Sequence, residues 1–109
     1  MLVAVINVNG TVESREIDGS LASMREIVGG LLVAVSLNKH LTIWVNEEGL
    51  GLGLPFNRIA TELLMGRWDD VYLVGTALIT GGVDAEGETL PIRDQDLAEL
   101  MKINELIIK

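Results

Sequence analysis

The chain contains no cysteine and a single histidine, His40. Disulfide frameworks and thiolate chemistry are therefore excluded, and a zinc centre or a histidine-based catalytic dyad lacks its partners. Aromatic residues are scarce: two Trp, one Tyr and one Phe leave little on which a nucleic-acid base could stack. Basic residues are few as well, eight against sixteen acidic ones, and the resulting net charge of −8 repels phosphate backbones and anionic lipid. No apolar run approaches the roughly 18 residues of a membrane-spanning helix. The Met1–Ile6 stretch lacks a basic leader and reads as a strand rather than a signal peptide. These absences predict a soluble, cytoplasmic protein with no direct nucleic-acid contact, no membrane contact, no metal and no cofactor. The acidity fits solubility, with a basic partner or mimicry of DNA as alternatives.

What is present suits one domain spanning residues 1–109, long enough to bury an ordinary core. Leu2–Val8 is apolar on both faces, as in a central strand covered on both sides. Asn9-Gly10 is a strong hairpin signal, returning the chain as a more polar strand over Thr11–Ile17. Ser20 is a natural N-cap for a short amphipathic helix carrying Leu21, Met24, Ile27 and Val28, closed by Gly29-Gly30. Leu31–Leu37 reads as a second buried strand, and Leu41–Val45 alternates in strand fashion, with Trp44 outside or under a helix. Pro55–Met65 carries a helical pattern. Val71–Thr80 reads as a strand with an internal glycine, Gly75. Asp94 or Asp96 caps a last helix running towards Ile108. The fold class is thus α+β: a mainly antiparallel sheet of about five strands, covered by two to three short helices.

The most suggestive local stretch is NEEGLGLGLP, Asn46–Pro55. Its glycines at 49, 51 and 53 repeat with period two, which fails the spacing of a dinucleotide loop, and no Gly-Lys-Ser/Thr occurs. The alternation reads better as extended backbone against which something packs closely. Glu47 and Glu48 are neighbours and cannot converge on one substrate as a general acid/base pair does. Asp84-x-Glu86-x-Glu88 is too short for an EF-hand loop. His40, after Asn38-Lys39, reads as an exposed turn residue. The candidate ligand set is Asn46, Glu48, Asn57 and Arg58, because a helix starting near Pro55 would offer free N–H groups beside the Arg58 guanidinium. The structural alternative makes Asn57 an N-cap and pairs Arg58 with Glu47 or Glu48. Trp44 and Trp68 are candidate interface anchors, with core packing the competing role for Trp44.

An ordered series of short motifs runs through most of the chain: Glu16-Ile17-Asp18-Gly19-Ser20-Leu21, Ile27-Val28-Gly29-Gly30, Asn46-Glu47-Glu48-Gly49, Leu54-Pro55-x-Asn57-Arg58 and Val74-Gly75-Thr76. Taken in succession, this series resembles the domain of unknown function family 3846, small proteins of phages and mobile elements. The resemblance implies an accessory gene product in a bacterial cytoplasm and carries over no activity. The functional expectation is a non-enzymatic protein that binds another protein, in one version a host protein of a defence or other process, and that forms a homo-oligomer. The alternative is a small-ligand binder that sequesters an anionic metabolite or nucleotide. A third reading is an acidic DNA mimic.

Overall fold

Gly10, at φ 92°, turns β1 (Leu2–Ile6) onto β2 (Val12–Glu16), and the two strands pair antiparallel with Ile6 opposite Val12. A computed structural model describes residues 1–64 and 72–107, with the side chains of all but Leu106 and Ile107. Ser20 then starts α1 (Leu21–Val28), its hydroxyl accepting the Ser23 N–H at 3.1 Å. Gly29 ends the helix in the left-handed region that a Cβ disfavours. The strands β3 (Leu32–Asn38) and β4 (Leu41–Asn46) form a hairpin, followed by α2 (Arg58–Leu64), β5 (Ala77–Thr80), α3 (Asp94–Met101) and the short α4 (Ile103–Ile107).

The sheet order is β2-β1-β5-β4-β3, and every pairing is antiparallel. Strand side chains alternate between two layers. Val3, Val5 and Leu78 face α1 and pack with Met24 and Val28. Ala4, Ile6, Ile43, Val45, Ala77 and Ile79 face the opposite way and pack with Ala60 and Leu64 of α2 and Leu100 of α3. Burial on both faces explains why β1 and β5 lack a polar stripe. The α+β class and the five-stranded sheet are as the sequence predicts.

Several local expectations are corrected. The run Leu31–Leu37 is apolar, yet β3 lies at the rim of the sheet, with Leu31, Val33 and Ala34 exposed. The reason is topological: β5 inserts between β1 and β4, so the hairpin's first strand is pushed to the edge. The strand expected over Val71–Thr80 is shorter, since Gly75 at φ 77° interrupts extended backbone and only Ala77–Thr80 is a strand. Val71 lies outside the described residues. A Cβ on Gly75 would meet Leu54 Cδ1 at 2.8 Å, so this glycine answers both a positive φ and a close neighbour. Residues 47–53 form consecutive turns rather than extended backbone. Leu52 N–H donates to the Glu48 carbonyl and Leu54 N–H to the Gly49 carbonyl. The last helix is capped by neither aspartate: Arg93 holds the N-cap, while Asp94 and Asp96 occupy the first turn, where the helix dipole favours carboxylates. It also divides at Lys102, whose N–H reaches back to the Glu99 and Leu100 carbonyls.

Candidate functional site

The candidate residues lie at one end of the sheet, where β1 and β4 finish and β3 and β5 begin. Pro55–Asn57 runs antiparallel to Leu73–Gly75: Asn57 N–H donates to Leu73 O at 2.8 Å, Gly75 N–H donates to Pro55 O at 2.7 Å, and Phe56 bridges Val74. Asn57 has no solvent exposure. Its Nδ2 donates to Ile6 O at 3.0 Å and to Gly75 O at 2.9 Å, and its Oδ1 accepts the Ala60 N–H at 3.1 Å. Thr61 completes the joint, its hydroxyl donating to Asn57 O and accepting Leu73 N–H. Asn57 is therefore both the cap of α2 and the link from α2 to β1 and the 73–75 segment. None of its polar atoms faces outward.

Asn46 is buried as well, and its Oδ1 accepts the Glu48 N–H at 2.9 Å, shaping the turn. The Glu48 side chain is exposed and belongs to that turn. Arg58 is paired with neither Glu47 nor Glu48; it meets Glu62 one helical turn on, Nε to Oε1 at 3.0 Å, with its own side chain 74% exposed. The four candidates are thus not gathered into one ligand site. Arg58 and Glu62 instead line one wall of an open groove of about 590 Å³ between the β1–β2 turn, α2 and Ile103 of α4.

Trp44 lies half-buried in the α1-facing layer, its indole N–H donating to Thr80 Oγ1 at 2.9 Å, which makes it a packing residue. Trp68 lies outside the described residues. His40 sits in the β3–β4 turn, its backbone N–H donating to Asn38 Oδ1. Among the described residues, no group of three potential ligands is placed to hold a metal, and no helix is long and apolar enough to cross a membrane.

Residues 1–105 match the family described as Domain of unknown function (DUF3846). The chain belongs to that family. No curated protein and no solved structure matches it.

Residues absent from the sequence-based candidate set are exposed on this DUF3846 chain at the same end. Leu50 and Leu52, carried out by the glycine turns, are 70% and 62% exposed. Phe56 and Tyr72, also exposed, stack on each other with ring centroids 4.6 Å apart and planes 21° apart. The signal was available: a leucine between two glycines in a turn has few neighbours to bury it. Reading the same letters as extended backbone concealed it.

Proposed function

We propose that this DUF3846 protein is a non-enzymatic accessory protein of a phage or mobile element, acting in the bacterial cytoplasm by binding a host protein and so modulating host processes or defence. The observation that carries this reading is the exposure of Leu50, Leu52 and the Phe56–Tyr72 stack at one end of the sheet. Exposed apolar and aromatic side chains grouped at one end are typical of protein-binding surfaces. Glu47 and Glu48 flank the leucines and are exposed, and the chain carries a net charge of −8. The partner surface that fits is apolar at its centre with a basic rim. Leu50→Ser/Leu52→Ser tests this directly: the doubly substituted protein should keep its fold and lose the partner.

A second reading, an anionic metabolite or nucleotide held by Arg58, draws on the groove that Arg58 lines. It is the weaker of the two. The Ala60 and Thr61 N–H groups at the start of α2 are already bonded to Asn57, and Arg58 already has Glu62. A DNA mimic needs clustered free carboxylates, whereas Glu13, Glu62, Asp96 and Glu99 are each paired with a basic neighbour.

A further inference from the structure

The two edges of the sheet are treated differently. At the β2 edge, Ile17 N–H donates to Met1 O and Asn7 N–H to Thr11 O, which sets the alternation of the β1–β2 ladder. In that register, Val12 turns its own N–H and C=O outward. Both are taken by one side chain: Asn104 of α4 accepts Val12 N–H at 2.8 Å and donates to Val12 O at 2.7 Å. The rest of that edge carries Glu13, Arg15 and Glu16. Charge and a covering side chain are the usual means of keeping an edge from pairing.

Among the described residues, the β3 edge has neither. Its sequence, LVAVSLN, contains no charged residue. Glu47 N–H donates to Leu31 O, and with the observed register this makes Val33–Val45 and Val35–Ile43 the hydrogen-bonded pairs with β4. Leu32, Ala34 and Ser36 therefore direct their backbone N–H and C=O groups away from the sheet. Among the described residues, nothing bonds to those groups.

We propose that β3 is a dimerisation edge, pairing antiparallel with β3 of a second copy about a two-fold axis at Ala34. The arrangement joins two five-stranded sheets into one. In this register Ala34 faces Ala34 of the second copy, and Leu32 faces its Ser36. Every outward backbone group of the regular stretch then finds a partner. The bulge between Ser36 and Asn38 falls at the outer margin of that stretch, where it ends the pairing.

Side chains favour a second copy over an unrelated peptide. On the α2/α3 side of the sheet, Val33 would lie opposite Val35 of the second copy, and Leu31 one step further out opposite its Leu37. Val33 and Leu31, 38% and 44% exposed, would each gain an apolar cross-strand neighbour. On the other side the axial pair is alanine with alanine, the least bulky side chains of the strand. The same two-fold brings Lys39, in the β3–β4 turn of one copy, to the end where Glu47 and Glu48 of the other lie, so charges of opposite sign share each end of the seam. The dimer's backbone pairing does not involve Leu50 and Leu52, which carry the binding reading, although both place opposite charge near Glu47 and Glu48.

The test is the solution mass by light scattering over a dilution series, with two variants. Ala34→Pro removes an outward N–H that β4 does not use. Val33→Lys leaves the backbone intact and places like charges across the axis, so it reports even if the proline variant misfolds. The expected result is about twice the monomer mass for the unaltered protein, and the monomer mass for Val33→Lys with its far-ultraviolet circular dichroism unchanged. A monomer at every concentration would overturn the proposal. So would a dimer that survives Val33→Lys, or a monomer whose β3 edge takes up an extended peptide instead.

Discussion

The Asn57 side chain donates a hydrogen bond to the Ile6 carbonyl at 3.0 Å from a position that water does not reach. This contact ties the start of α2 to the end of β1, and the same amide also serves Gly75 O and Ala60 N–H. Asn57→Ala should remove three buried hydrogen bonds and a helix cap, a loss on the order of 2–4 kcal/mol. Asn57→Asp separates the two roles. The carboxylate can still accept from Ala60, but it turns lone pairs towards two carbonyls, so this variant should be no more stable than the alanine one. Denaturant titration of the three proteins checks the order.

Arg58 should matter little to either fold or ligand. Its pair with Glu62 is an exposed (i, i+4) contact, a class worth roughly 0.3–0.5 kcal/mol. Arg58→Ala should therefore leave unfolding nearly unchanged. Neither protein should respond in thermal shift to a panel of nucleotides and phosphorylated metabolites. A response that Arg58→Ala abolishes would move the small-ligand reading ahead.

Asp18 gives the fold a specific sensitivity to acid. Hydrogen bonds from the Ser20 hydroxyl, the Ser20 backbone N–H and the Ser23 side chain hold its carboxyl at about 2, below the usual 3.8. A folded-state value below the unfolded one means that the carboxylate's contribution is present above about pH 4 and lost as pH falls towards 2. The melting temperature of Asp18→Asn should accordingly lie below that of the unaltered protein at neutral pH and converge with it near pH 2. A gap of constant size down to pH 2 would show that the charge is not responsible.

How much of this was legible in the sequence depended on how local the determining contacts are. The Asn9-Gly10 hairpin and the Ser20–Gly29 helix are set by neighbouring residues, and both form as their signals indicate. The edge position of β3 was not legible, because it follows from β5 entering between β1 and β4, a pairing across more than thirty residues of chain. Asn57 illustrates the middle case. Its capping role was readable from its place before a helical pattern, but its bonds to Ile6 and Gly75 belong to the tertiary fold. Leu50 and Leu52 were misplaced for a related reason: alternating Gly and Leu suits a strand or a series of turns, and the Glu48–Leu52 and Gly49–Leu54 hydrogen bonds decide for turns.

The most direct measurement is quantitative affinity capture from a bacterial host lysate, comparing the unaltered protein with Leu50→Ser/Leu52→Ser and with Arg58→Ala. The account predicts one reproducible partner, retained by Arg58→Ala and reduced roughly tenfold or more by the double leucine substitution, the size expected for two interface anchors. Capture that does not differ between the unaltered protein and a folded Leu50→Ser/Leu52→Ser variant would contradict it.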